Sequence, residues 1–155
     1  MHLAIIGDHT DIAELILNQG SSSTEVLDND GNSPLHLAVQ SNNAGMVELL
    51  LRKGALTEAI DKDNNTPLLL AFKSGYNRIA ELIIHQLKGS AIDTLDNDGN
   101  SPLHLAAHKN YGSLVTLLLS KGASPSTVNK NGKRPFNLAV SHDAYLAFRN
   151  SGVNS

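Results

Sequence analysis

Four prolines return at almost equal intervals along the chain: Pro34, Pro67, Pro102 and Pro135, separated by 33, 35 and 33 residues. Each carries the same surroundings with it. The segments read D-N-D-G-N-S-P-L-H-L-A from Asp28, D-K-D-N-N-T-P-L-L-L-A from Asp61, D-N-D-G-N-S-P-L-H-L-A from Asp96 and N-K-N-G-K-R-P-F-N-L-A from Asn129. The dozen residues L-D-N-D-G-N-S-P-L-H-L-A stand unchanged at 27–38 and at 95–106. A second apolar block follows in each unit: M-V-E-L-L-L ahead of Lys53-Gly54, I-A-E-L-I-I ahead of Lys88-Gly89 and L-V-T-L-L-L ahead of Lys121-Gly122. The two extra residues of the second full unit fall in H-Q-L-K-G. A fixed period of this length means a structural unit copied along the chain, each copy too small to bury its apolar face alone.

Local chemistry says what the unit is. Ser33, Thr66 and Ser101 precede their prolines, and a hydroxyl followed by proline at the first helical position starts a helix. Eight residues after each proline come Asn42, Gly75, Asn110 and Asp143, residue types that accept the left-handed conformation ending a short helix. A second helix is predicted over 45–52, 77–86 and 113–120, stopped by Gly54, Gly89 and Gly122. The opening residues H-L-A-I-I-G and I-A-E-L-I-L-N-Q-G match the later part of the same unit. The last unit departs most: Arg134 replaces the capping hydroxyl, Asn137 replaces His, and its second helix, A-Y-L-A-F-R-N, is expected to be short.

With its period of 33, P-L-H-L-A core and terminal G-A, the chain resembles the ankyrin repeat family over essentially its whole length. The resemblance implies an all-α solenoid of stacked helix-turn-helix units with β-hairpin fingers. It is expected to form a single domain over 1–155: a partial repeat at 1–27, repeats at 28–60, 61–95 and 96–128, and an atypical one at 129–155. The first unit has only His2-Leu3-Ala4 of the motif, which suggests an excised piece of a longer protein. The resemblance also implies that the imidazoles of His36 and His104 bond the hydroxyls of Ser33 and Ser101 and the backbone of a neighbouring finger.

Composition narrows the function classes. The longest apolar run, 68–72, is five residues, far short of a membrane-spanning helix. The first ten residues lack the basic start and long apolar run of a signal peptide. Zero Cys excludes disulfides and thiolate chemistry, and a cytoplasmic setting is the plain expectation, or a host cytoplasm if the chain serves a secreted effector. Net charge −3 argues against general nucleic-acid binding. Charge drifts along the chain: residues 1–60 hold eight acids and two bases, 61–128 six of each, and 129–155 one acid and four bases. That drift could steer a charged partner.

The motifs that suggest chemistry do not survive inspection. Counted from Asp28, an EF-hand loop needs Gly at its sixth position and Glu at its twelfth, where Ser33 and Val39 stand. Asp28, Asp30, Asp96 and Asp98 read instead as turn residues bonding local amides. The seven histidines show no metal-ligand spacing, and there is no G-x-S-x-G and no P-loop. No catalytic residue, cofactor site or metal site is assigned, and no enzyme activity is expected.

The resemblance implies protein binding on a concave face built from finger tips and the exposed ends of the first helices. The finger positions are Asn29, Asp30 and Asn32, Lys62, Asp63 and Asn65, Asn97, Asp98 and Asn100, and Lys130, Asn131 and Lys133. The helix positions are Gln40 and Ser41, Lys73 and Ser74, His108 and Lys109, and Ser141 and His142. Lys73, His108, Lys109 and His142 are the favoured contacts, a mildly basic set suited to an acidic or phosphorylated segment of a protein partner. The chain is expected to be a monomer with no nucleic-acid or membrane partner. The competing reading is a structural spacer within a multidomain enzyme, channel or host-directed bacterial effector whose activity lies elsewhere.

Overall fold

A computed structural model of the chain describes residues 1–20, 24–87 and 89–153. Among these there are nine α-helices and no strand, an all-α repeat fold. Lys88, read from the sequence as part of a helix-ending Lys-Gly pair, lies outside the described residues. The fold divides into two compact units, Met1–Gln86 and Leu87–Ser155.

The first unit holds α1 (His2–Ile6), α2 (Thr10–Asn18), α3 (Pro34–Gln40), α4 (Ala44–Arg52), α5 (Pro67–Ser74) and α6 (Asn77–Gln86). They form three helix pairs, with α3 packed against both α1 and α5, and α4 against α6. Proline opens α3 and α5, and the side chains of Ser33 and Thr66 accept the amides of His36 and Leu69. Each pair then turns through one left-handed residue, Asn42 at φ 51° and Gly75 at φ 78°. The core is aliphatic but for one ring: Leu35, Val39, Met46, Leu50, Leu68, Ile79 and Ile83 and the aromatic Phe72 are all at most 1% exposed. Full burial of such side chains contributes about 1.5–3 kcal/mol each before conformational entropy opposes it.

The second unit holds a 3-10 turn at Gly89–Asp93, α7 (Pro102–His108), α8 (Gly112–Ser120), a 3-10 turn at Pro135–Leu138 and α9 (His142–Asn150). Its first helix pair follows the rule of the first unit, with Ser101 capping α7 and Asn110 turning the chain at φ 61°. Gly54 and Gly122, at φ 82° and 90°, follow the ends of α4 and α8 as expected. Gly89 does not stop a helix: α6 ends at Gln86 and Gly89 opens a 3-10 turn. One of the two extra residues lengthens α6 to ten, against nine in α4 and α8, and the other falls between α6 and Asp96.

The last repeat departs from expectation in its first helix rather than its second. Arg134 offers no side-chain cap, and only a 3-10 turn forms over Pro135–Leu138 before Ala139 turns extended at ψ 111°. Ser141 then caps a new helix, accepting the amide of Ala144 at 3.2 Å. Asn110 holds this start in place, its side-chain oxygen accepting the amides of Val140 at 3.1 Å and Ser141 at 2.7 Å. Helix α9 runs nine residues, the length of α8, so it is not shortened. Asp143 therefore sits in its first turn, not at a left-handed helix end. Where the other repeats use leucines, Phe136 packs on Tyr145 and Phe148 with ring centroids 5.5 and 5.7 Å away.

Candidate functional site

Each finger is a tight turn, not a strand pair. The amide of Asp28 donates to the carbonyl of Asn32 at 2.9 Å, and that of Gly31 to Asp28 at 3.1 Å. Inside the loop the Asp28 carboxylate does the work of a ladder: one oxygen accepts the amides of Asp30 at 2.9 Å and Asn32 at 2.8 Å. Asp61 repeats this on Asp63 and Asn65, and Asp96 on Asp98 and Asn100. Asn129 does the same with a neutral amide oxygen, accepting from Asn131 and Lys133 at 3.0 Å each. The position needs an acceptor and not a charge. These bonds to amides favour the ionised Asp28 carboxyl: Asn32 first among them holds its pKa below the usual value, against a smaller desolvation effect.

The fourth finger residue takes a left-handed backbone, Gly31 at φ 77° and Gly99 at φ 76°. Close approach to the next finger adds a second demand for glycine. A Cβ on Gly99 would stand 3.1 Å from the amide nitrogen of Lys130. Successive fingers are tied there: Lys62 donates its amide to the Asp30 carbonyl at 2.9 Å, and Lys130 donates to Asp98 at 3.0 Å. The Lys62 ammonium also reaches the Asp30 carboxylate at 3.0 Å, a bond that raises the lysine pKa. Both side chains are more than half exposed, so the pair contributes little to stability.

Behind the fingers lies a histidine bolt. The Nδ1 of His36 accepts the Ser33 amide at 3.2 Å and the Ser33 hydroxyl at 2.8 Å. Its Nε2 then carries the proton and donates to the Asn65 carbonyl of the next finger at 2.9 Å. His104 repeats this with Ser101 and with the Lys133 carbonyl at 3.0 Å. Both rings are wholly buried, and desolvation pulls both pKa values below the ordinary 6.5. These imidazoles are neutral structural parts, as the sequence implied.

The proposed contact residues separate into two groups on this scaffold. Asn32 and Asn65 face inward, 7% and 5% exposed, and hold Asp28 and Asp61. That corrects their reading as contact positions. Their side-chain oxygens accept from the C-terminal end of the helix that follows, Gln40 (the last residue of α3) to Asn32 at 3.1 Å and Lys73 (the second to last of α5) to Asn65 at 2.6 Å. In the first unit Asn29, Asp30, Gln40, Ser41, Lys62, Asp63, Lys73 and Ser74 are exposed. In the second, Asn97, Asp98, His108, Lys109, Lys130, Asn131 and Lys133 are exposed, while Asn100 is half-buried. His142 is exposed too, but it opens the second helix of its repeat instead of ending a first helix, and Ser141 is that helix's cap. Both are displaced from the place the repeat register assigned them, because α9 starts early on Ser141.

One feature of the second unit escaped the sequence. A cavity of about 540 Å³ is lined by Val128, Arg134, Phe136, Asn137 and Val153 among others. Among the described residues no three His, Asp or Glu side chains converge as a metal site. No described helix is long and apolar enough to cross a membrane.

Comparison of the sequence with known proteins points to one family. The sequence profile described as ankyrin repeats (3 copies) matches residues 1–90 and 81–149. An ankyrin repeat protein of fowlpox virus (strain NVSL) is 40% identical over 55 residues, which is 36% of this chain and 12% of that relative. The matched stretch is thus a small part of the viral protein's length. Ankyrin repeats are a general protein–protein interaction module and generally non-enzymatic. A period of 33, a hydroxyl–proline start, a histidine bolt between fingers and the profile match converge: the chain belongs to the ankyrin repeat family.

Proposed function

We propose that this chain is a non-enzymatic module that binds a protein partner through its finger tips and first-helix ends. The observation that carries the reading is a division of labour within each finger. Asp28, Asn32 and His36 are turned to the scaffold and close its hydrogen bonds, whereas Asn29, Asp30 and Lys62 are left outside on a backbone locked from behind. A rigid platform with exposed polar tips is suited to recognition, since little ordering entropy is lost on contact.

In the second unit the exposed set includes Lys109, Lys130, Lys133 and His108, and residues 129–155 carry four bases against one acid. An acidic or phosphorylated segment is the partner chemistry this favours. The first unit offers a mixed surface, in which Asp30 and Lys62 already neutralise each other. We further read the chain as part of a longer protein, in keeping with its match to only 12% of the viral relative.

The test is a peptide array of acidic and phosphoserine sequences probed with the purified chain, followed by affinity measurement on the strongest binder. Replacing Lys109, Lys130 and Lys133 with Glu should weaken that affinity at least about tenfold, mostly through slower association and with a loss of salt dependence. Circular dichroism should stay unchanged. Unchanged affinity in the triple variant sinks the assignment to this surface.

A further inference from the structure

Repeats can be compared residue by residue, and one comparison does not balance. In the register set by His2 and His36, Leu3, Ile12 and Leu15 on α1 and α2 correspond to Leu37, Met46 and Leu49 on α3 and α4. The latter three are 7%, 0% and 3% exposed, whereas Leu3, Ile12 and Leu15 are 83%, 49% and 63% exposed. The third pair agrees with the second: Ile79, the counterpart of Ile12, is 1% exposed, and Leu70 and Leu82 are half-buried. The difference between the pairs is a neighbour. Helix α3 has α1 on one side and α5 on the other, and α4 packs against α6. No described helix covers the Leu3, Ile12 and Leu15 side of α1 and α2. Ile6 is also 65% exposed, but it corresponds to Gln40 and Lys73, which are exposed in their own repeats, so it belongs to a different surface.

We infer that Leu3, Ile12 and Leu15 form a stacking interface occupied by a further helix pair of the same ankyrin type, carried ahead of α1 in the same polypeptide. The face continues an interface already formed inside the first unit: the residue types that α3 and α4 bury against their neighbours are the ones α1 and α2 leave in water. Three large aliphatic side chains on two adjacent helices, spaced i, i+3 on α2, match that need and no polar recognition role. The inference rests on the reading of the chain as part of a longer protein and is independent of partner binding at the fingers.

A chain extended by its own repeat tests it. Residues 34–68 copied ahead of His2 complete a P-L-H-L-A motif across the junction and place a copy of α3 and α4 beside α1 and α2. Amide exchange across α1 and α2 should then slow by roughly tenfold or more, because these helices open only after the new pair leaves. In the 155-residue chain, Leu3→Ser with Ile12→Ser and Leu15→Ser should leave the urea midpoint unchanged or raised. In the extended protein the same substitutions should lower it and restore fast exchange, and the single Leu15→Ser serves if the triple variant folds poorly. Equal exchange rates in the two proteins, or a triple variant harmless in both, overturn the inference. So does sedimentation showing that the 155-residue chain pairs with itself through this face and that Leu15→Ser separates it. Retained exchange protection with no acidic-peptide binding leaves the stacking intact and removes only the partner reading.

Discussion

The Nε2 of His36 donates to the carbonyl of Asn65, 2.9 Å away in space and 29 residues on in sequence. The same ring accepts from the amide of Ser33 three residues back, so one side chain joins the start of its own helix to the finger of the next repeat. Position 69 shows what else the fold accepts there: Leu69, wholly buried, with Thr66 still capping its amide.

His36→Ala should therefore be costly, because it opens a cavity and leaves the Ser33 amide and part of the Asn65 carbonyl unpaired, about 2–4 kcal/mol together. His36→Leu should cost less than half as much, since it refills the volume as Leu69 does. Urea denaturation of the two variants against the parent checks the order.

Burial lowers the pKa of His36 and His104, and this makes stability depend on pH. As pH falls through the ordinary 6.5, the unfolded chain takes up a proton at each ring while the folded chain does not. The unfolded state then binds more protons, so stability falls on acidification and is fully present above that value. A protonated Nδ1 would also face the Ser33 amide, donor to donor. The urea midpoint should decline from about pH 7 to about pH 5, and the decline should shrink in a His36→Leu/His104→Leu variant.

Two helical glycines should respond oppositely to alanine. A Cβ on Gly112, at the start of α8, would stand 3.0 Å from the carbonyl carbon and oxygen of Asp143 in α9. Gly112→Ala should destabilise by about 1–3 kcal/mol through that backbone clash. Gly45, exposed in the first turn of α4, meets only the Asn43 side chain at 3.6 Å. Gly45→Ala should stabilise by about 0.5–1 kcal/mol by reducing the freedom of the unfolded chain. Thermal melts of the two single variants decide both signs.

At the finger, Asp28→Asn keeps an oxygen for the amides of Asp30 and Asn32, as Asn129 does in its loop. It turns an NH2 toward the Asn32 Nδ2 that now donates to Asp28 at 3.0 Å, so it should cost less than removal of the acceptor, about 0.5–1 kcal/mol. Asp28→Ala removes the acceptor from the amides of Asp30 and Asn32 and should cost about 1–2 kcal/mol. Thermal melts of both variants at neutral pH are the measurement. A large loss in the Asn variant would mean that charge, not geometry, holds the turn.

The sequence alone determined the period, the all-α class, the starts of α3, α5 and α7 at Ser-Pro or Thr-Pro, and the left-handed turns at Asn42, Gly75 and Asn110. All of these depend on signals within a few residues, repeated often enough to be read by alignment. The structural role of His36 and His104 came from the resemblance to the ankyrin family, since their finger partners lie 29 residues away. Tertiary structure decided the rest. Asn32 and Asn65 look like tip residues in the motif, but the carboxylates of Asp28 and Asp61 turn them inward. The last repeat loses its first helix because Arg134 cannot cap it and Asn110, about thirty residues away, holds Ser141 as a rival start. That shift moved His142 off the first helix. Leu3, Ile12 and Leu15 stand at register positions that α3 and α4 bury, and only the packing around α1 and α2 shows them uncovered. Burial is a property of what lies next door, which local composition does not encode.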